Sequence, residues 1–369
     1  MDNAAIMPFE GWRLSGSAEE LARRTYVAAS PWAHAPDDVP DGHVLRLLEP
    51  AFRDDDPATS ARVVRAWSAS GRLVPLRGPA LWAYQIDEAG RTALGLAALI
   101  DLDSGLLRPH EEVIERYVEV QSALAATTHG HWEPLTAFRP GLRVATLVAP
   151  RIAGVEPDLV VRSGTRTDRL WAITEPEVVD TICATLGRAP LTIADGHHRY
   201  AAWRALPAGA ARHALTLVLD PDAIQVGAIH RVVNGTGLDD LVDELAPDQL
   251  APIAGTEPDV AAFLESGATH VVLSDGRRHL GAALPPCATR RIDAAARTLA
   301  DPRSIEPVGF EPDLARALAA AGSKSTAALV GRPDLDSIDR AASTGEVLAH
   351  KSSSFAPKPR VGLLMHRWD

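Results

Sequence analysis

Lysine is the residue this sequence most nearly lacks. Only Lys324, Lys351 and Lys358 are present, so 34 of the 37 basic residues are arginine. Such a bias usually reflects a genome that prefers arginine codons. Against it, a lysine marks a place where a compact ammonium charge is wanted rather than a planar guanidinium. Two of the three fall within eight residues of each other near the C-terminal end. Cysteine is equally scarce. Cys183 and Cys287 are too few and too far apart for a disulfide framework or a cysteine-based zinc site, which points to a reducing, cytoplasmic setting. The start, Met1-Asp2-Asn3, has neither the basic nor the apolar region of a signal peptide. No apolar run approaches the roughly 18 residues that a bilayer-spanning helix needs. Glycine-rich dinucleotide loops and Walker-type phosphate loops are missing, as are internal repeats and low-complexity tracts. An excess of positive charge is missing too. The net charge of −11 excludes a general nucleic-acid binder but leaves room for a local basic pocket. What remains is a chain of 369 residues, 46% hydrophobic and 23% charged. That is ordinary globular composition, long enough for about two domains.

Periodicity and turn residues predict mixed α and β structure. Short strands are expected at Val44–Leu48, Val144–Val148, Leu215–Leu219 and Ala327–Val330. Ile229-His230-Arg231-Val232-Val233 reads as a strand edge carrying a basic pair. Hairpins are expected around Asp87–Arg91, around Ser163-Gly164-Thr165, and between His270–Ser274 and Leu280–Leu284. Helices are expected from Pro57 to Gly71, from about Glu111 to Thr127, from Glu175 to Leu186, and near Leu238–Leu245, Val260–Leu264, Ala294–Leu299, Asp313–Ala321 and Leu335–Ala342. Ala29-Ser30-Pro31-Trp32 is a turn, and Thr128 to Trp132 a loop. Val361 to Arg367 reads as one closing strand. Hairpins alternating with helices predict an α+β (mixed α/β) fold with mixed sheets and flanking helices rather than a doubly wound parallel sheet.

The stretch richest in chemistry is Leu191-Thr192-Ile193-Ala194-Asp195-Gly196-His197-His198-Arg199-Tyr200. A short apolar run meets a good helix former, with Asp-Gly-His-His-Arg between them. That pattern predicts a strand, a tight turn and a helix start, where uncapped amides favour small anions. Gly196 allows close backbone approach, Arg199 offers a fork for phosphate or carboxylate, and Asp195 can act as a base or bind a metal. His197 and His198 are neighbours and point in different directions. The competing reading is a surface turn with a satisfied histidine pair. A second stretch, Lys351-Ser352-Ser353-Ser354-Phe355-Ala356-Pro357-Lys358, places ammonium and hydroxyl groups in a proline-punctuated loop. It reads either as a phosphate-binding loop or as an exposed polar one. Glu111, after His110 at a helix start, is either a favourable partner of the helix dipole or a general base or magnesium ligand. His230-Arg231 is an anion site or a structural pair. His129 and His131 with His197 and His198 offer a metal site only if folding gathers them.

Taken together, these segments resemble the DUF1015 family, a domain of unknown function. Ile193–Tyr200 resembles its Asp-Gly-His-His-Arg signature. Pro8-Phe9 resembles its start, and Asp103-Ser104-Gly105 with His110-Glu111 its Gly…His-Glu segment. Leu170–Ile173 resembles the strand before its central helix. Ile229–Val233 resembles its Thr-His-Arg segment, and Lys351–Lys358 its Lys-Ser-Thr-x-Phe-x-Pro-Lys ending. The signature turn is similar to the phosphate-binding turn of the ParB/sulfiredoxin superfamily, which includes kinases acting on free L-serine. The resemblance therefore implies a ParB/sulfiredoxin-like core over residues 1–220 and 345–369, with a second α/β domain over 221–344. It implies an ATP- and magnesium-dependent phosphotransferase acting on the hydroxyl of a small metabolite, free L-serine first.

In that reading Gly196, His197, Arg199, Lys351, Ser352, Ser353 and Lys358 bind phosphate or nucleotide. Asp195, His198 and Glu111 are the catalytic candidates, Asp195 or Glu111 carries magnesium, and His110, His230 and Arg231 are further ligand contacts. One geometric expectation follows: Lys351 near the Asp195–Arg199 turn. Two departures affect the acceptor side. Ser30-Pro31-Trp32-Ala33 stands for the usual Pro-Pro-Tyr-Asp, and Glu112-Val113-Ile114-Glu115-Arg116-Tyr117 for a Thr and Lys/Glu-Asp-Arg run. The alternatives are a non-catalytic nucleotide or phosphometabolite sensor and a metal-dependent hydrolase. Expected partners are a small-molecule substrate and a nucleotide, not nucleic acid or membrane, with a homodimer as the assembly to test.

Overall fold

The computed structural model describes residues 4–27, 39–53, 56–207, 212–247, 250–254, 256–267, 270–284, 288–300 and 307–368. Ser30-Pro31-Trp32-Ala33 and Cys287 lie outside them. The chain forms two units. One comprises Met1–Pro109, Val113–Gln225 and Pro357–Asp369, the other His110–Glu112 and Val226–Ala356. Both mix helices with sheets, so the fold class is α+β.

The first unit is organised by the hairpin of Leu73–Glu88 and Arg91–Asp101. Its strands are near-continuously apolar over Leu81–Tyr84 and Leu96–Ile100, as strands covered on both faces must be. Beyond Arg91–Asp101 the sheet adds His213–Leu219 antiparallel, Leu135–Phe138 parallel to that, Leu191–Asp195 antiparallel, and Leu107–Arg108 parallel at the edge. On the other side, Leu73–Glu88 pairs with Phe9–Leu14, which pairs with Met365–Arg367. Arg166–Ile173 also pairs with Leu73–Glu88, and Leu159–Ser163 with Arg166–Ile173. The core gathers Leu81, Leu96, Ile100, Leu135, Ile193, Trp171 and Trp203.

The second unit is an antiparallel six-stranded sheet. Its order is Ala251–Pro252, His279–Ala283, His270–Ser274, Ser325–Val330, His230–Asn234, Val308–Glu311. Strict period-2 alternation covers both faces. Val271, Leu273, Ala328 and Val330 pack with the helices Leu238–Leu245 and Ala288–Leu299. Val272, Ala327 and Leu329 pack with Glu257–Glu265 and Leu314–Ala320. No helix among the described residues is long and apolar enough to cross a membrane.

Three local expectations are corrected. Val44–Leu48 does not form a strand: Leu45–Arg53 is a helix. Val44, Leu47, Leu48 and Ala51 are buried together, a spacing of 3 and 4 rather than 2. Val144–Val148 belongs to the helix Val144–Ile152. The carboxylate of Asp220 accepts from the amides of Val144 and, at 3.4 Å, Ala145, and so caps that helix from 76 residues away. The closing run is not one strand but two short ones, Arg360–Val361 and Met365–Arg367, separated by a turn through Gly362. Within the expected loop, Gly130–His131 pairs as a short strand with Met365–Arg367.

Candidate functional site

In the first unit the signature folds as a strand, Leu191–Asp195, a one-residue turn at Gly196, and a helix, His197–Arg204. The register of the strand against Leu135–Phe138 shifts between Ile193 and Asp195. Such a bulge re-aims the side chain that follows it. Gly196 has φ +103 and, having no side chain, makes no cap bond of its own to the helix it begins. A Cβ at this position would lie 2.7 Å from Leu135 Cδ2 and 2.9 and 3.0 Å from Arg199 Nη2 and Nε. Glycine is required here both for the backbone angle and because the Arg199 guanidinium folds back over the turn.

Four side chains form an alternating row of charge. Arg199 Nη1 pairs with Glu133. Arg199 Nη2 donates to Asp195 Oδ2 at 2.8 Å. Lys358 Nζ donates to Asp195 Oδ1. Each oxygen of Asp195 thus carries a cation. Arg199 is largely buried, and burial pulls its guanidinium down to about 10, which leaves it charged at neutral pH. Its Nε is buried without a hydrogen-bond partner, a costly state for a charged donor. Asp195, Gly196, Arg199 and Lys358 are the sequence-predicted residues that come together here. Glu133 was missed. It follows the stretch expected as loop, where no element was assigned, and reaches Arg199 across 66 residues.

The paired histidines diverge as expected. His197 is buried. His198 Nε2 accepts from the Ile114 amide at 2.9 Å, at the start of the helix Glu115–Thr128. Its ring meets Tyr117 edge-on, with centroids 5.5 Å apart. His198 therefore supports the start of that helix through Nε2.

A second cluster lies in the second unit. Lys351 has φ +56, the left-handed region. Its carbonyl accepts from Arg231 Nη1 at 2.7 Å, and that of His350 from Arg231 Nη2 at 2.8 Å. Arg231 is fully buried and paired with Asp293 at 3.1 Å. The bend turns successive amides inward onto Glu111. Ser352 N–H donates to Glu111 Oε2 at 3.0 Å and the Ser353 hydroxyl at 3.4 Å. Burial pushes the Glu111 carboxyl up. The amides of Lys351, Ser352 and Ser353 and the charge of Lys351 oppose that shift. His110 Nε2 lies 3.2 Å from Ser353 Oγ, with Phe355 edge-on at 5.7 Å. Successive inward amides form an anion-binding nest, and here the protein's own carboxylate fills it. His230, next to Arg231, accepts at Nδ1 from the Val330 amide at 3.2 Å. Burial, with Arg231 adding to it, lowers its imidazole to about 4.

The predicted residues thus divide between the units. Lys358 stands with Asp195, while Lys351, Ser352 and Ser353 stand with Glu111. Magnesium, which the resemblance implies, has no preformed all-protein cage among the described residues. The Asp195 carboxylate is engaged by Arg199 and Lys358, and that of Glu111 by the Ser352 amide and the Ser353 hydroxyl. Among the described residues no three His, Cys, Asp or Glu side chains are arranged to hold a metal ion. His131 instead packs on Trp203, with its Nδ1 3.3 Å from His366 Nδ1, so the four-histidine hydrolase site is not assembled.

No curated protein matches the chain. Solved structures similar to it include a free serine kinase in complex with AMP, at 16% identity and a TM-score of 0.44 over 73% of this chain and 91% of that one. A conserved hypothetical protein from Pyrococcus furiosus is 17% identical, with a TM-score of 0.46 over 73% and 93%. SbnI with a C-terminal truncation, from Staphylococcus aureus, is 11% identical, with a TM-score of 0.44 over 72% and 85%. A family model described as protein of unknown function (DUF1015) matches residues 6–299. That range holds the Asp195–Arg199 turn and the His110-Glu111 pair and stops short of Lys351–Lys358. With most of its length matched, the chain belongs to the DUF1015 family.

Proposed function

We propose that the chain transfers a phosphoryl group from ATP to the hydroxyl of a small metabolite, free L-serine first. The observation that carries this reading is the turn at Gly196. A helix start opened by a glycine in the left-handed region, Arg199 with an unpartnered Nε, and Lys358 converge on one half-buried carboxylate. Phosphoryl transfer asks for positioned positive charge more than for covalent chemistry. An incoming phosphate competes with Asp195 for Lys358 and Arg199. As the cations move to its oxygens, Asp195 is left able to accept a proton. The acceptor hydroxyl then attacks the terminal phosphorus, the bond to the bridging oxygen breaks, ADP leaves, and the hydroxyl proton passes to Asp195. Gly196 and His197 line the phosphate turn, and Glu133 keeps Arg199 in place. Glu111 is the second candidate base. Lys351, Ser352 and Ser353 serve phosphate only when Glu111 leaves their amides. His110, His230 and Arg231 support that loop.

Pure protein with ATP, magnesium and a panel of hydroxylated amino acids should yield a phosphomonoester, O-phosphoserine first, by phosphorus NMR. Intact folded protein that phosphorylates none of them sinks the reading. A second reading, a nucleotide-binding regulator, is favoured by the full engagement of both carboxylates, Asp195 and Glu111. It predicts thermal stabilisation by nucleotide without turnover, and loss of that stabilisation in Arg199→Ala.

A further inference from the structure

The backbone at Lys358 and just after it is held by a buried polar network. The Lys358 carbonyl accepts from Arg166 Nη2 at 2.7 Å. Two residues on, the Arg360 amide donates to Tyr84 Oη at 2.9 Å. Tyr84 O–H donates to Asp168 Oδ1 at 3.0 Å. Asp168 also accepts from Arg166 Nη2 at 2.7 Å, Arg166 Nε at 3.0 Å and Arg360 Nε at 2.8 Å. All four side chains are buried. Prolines 357 and 359 flank the lysine and fix the backbone angle on each side.

The placement follows from the sheet. Arg166 and Asp168 are two apart on one strand and share a face. Tyr84 lies opposite Leu170, and so diagonal to Asp168, on the neighbouring strand. Burial and the adjacent carboxylate raise the Tyr84 phenol well above its usual range, so it remains an O–H donor. Two buried guanidinium groups around one buried carboxylate are not an economical way to fill a core. Apolar residues of similar volume are often as stable or more so, and a retained ionic cluster calls for a role in specifying geometry.

We propose that Arg166, Asp168, Tyr84 and Arg360 are positioning residues that fix the backbone at and just after Lys358 and so hold its ammonium on Asp195. The role in turnover rests on the phosphate-binding reading of Lys358; the positioning itself does not.

The scarcity of lysine makes the test direct. Brief acetylation of the full chain, read by peptide mass spectrometry, reports three side-chain amines, and exposed Lys324 serves as the internal reference. Tyr84→Phe keeps the ring and removes one link. Arg166→Met removes the hold on the Lys358 carbonyl. Each should raise Lys358 acetylation relative to Lys324 by about tenfold, the factor expected from losing one charge-assisted hydrogen bond. Asp195→Ala should do the same by removing the partner itself. Arg166→Lys should restore part of the protection. If Asp195→Ala raises the ratio but Tyr84→Phe and Arg166→Met lower only the melting temperature, the network is structural and the proposal is overturned. ATP should further shield Lys358 in the unaltered protein and less so in Tyr84→Phe. Absence of shielding in the unaltered protein counts against the kinase reading, while the acetylation ratios without ATP still decide the positioning role.

Discussion

Gly196→Ala tests the geometry of the turn more sharply than any charge substitution. Two costs are separable. The backbone at φ +103 is unfavourable for an L side chain, at about 1–2 kcal/mol. The new methyl also lies 2.7 Å from Leu135 and 2.9 Å from Arg199 Nη2. Relieving those contacts means moving a core leucine or pushing the guanidinium off Asp195, for roughly 1–2 kcal/mol more. The sum, about 2–4 kcal/mol, corresponds to a fall of roughly 5–15 °C in the first unit's melting temperature. Gly164→Ala is the control. It also has positive φ, at +60, but a Cβ there meets nothing within 4 Å, so only the backbone cost applies. Chemical denaturation of both variants gives the difference. Because Arg199 would be displaced, Gly196→Ala should also lose nucleotide-induced stabilisation, which Gly164→Ala should keep. Equal destabilisation by the two substitutions, with equal nucleotide response, would refute the claim that Arg199 is folded against the turn.

Removing the carboxylate of Glu133 with Glu133→Ala leaves Arg199 one carboxylate instead of two. A loss of about 1–3 kcal/mol is expected, with weaker nucleotide stabilisation, and calorimetry with and without ATP checks both. His366 and His230 are each lowered from 6.5 to about 4, chiefly by burial. Their folded forms are neutral, so their contribution is complete above pH 6.5 and is lost as pH falls toward 4. That loss is of the order of 3 kcal/mol each, and urea titrations from pH 7 to 4 should show flatter profiles in His366→Gln and His230→Gln. Asp293→Ala strands the fully buried Arg231 and should destabilise the second unit by about 3–5 kcal/mol, releasing the 350–351 backbone as read by hydrogen exchange.

What could be read from the sequence was what its own neighbours determine. The strand, turn and helix at Leu191–Arg204 are legible because an apolar run, a glycine and helix formers lie next to one another. The long hairpins and the α+β class follow from the same local patterning. The helix at Val144–Ile152 was misread because its cap, Asp220, comes 76 residues later. Glu133 gave no local signal at all. Arg166 and Asp168 did leave one: an ion-pairing doublet on a single face of a strand that soon turns apolar. The Lys351–Ser353 loop was read as open to phosphate because nothing near it in sequence says that Glu111, 241 residues earlier, occupies its amides.

The bonds that reach the C-terminal segment also set an order of assembly. Asp195 waits 163 residues for Lys358, Asp168 waits 192 for Arg360, and Glu111 waits 241 for Ser352. During synthesis these carboxylates emerge without their counter-charges, and both clusters close only when the stretch from His350 to Arg360 has left the ribosome. A chain cut before that point would keep most of its hydrophobic core yet hold neither cluster. Closure of these charge clusters is thereby tied to the stretch from His350 to Arg360 having been made, however early the rest of the core has formed.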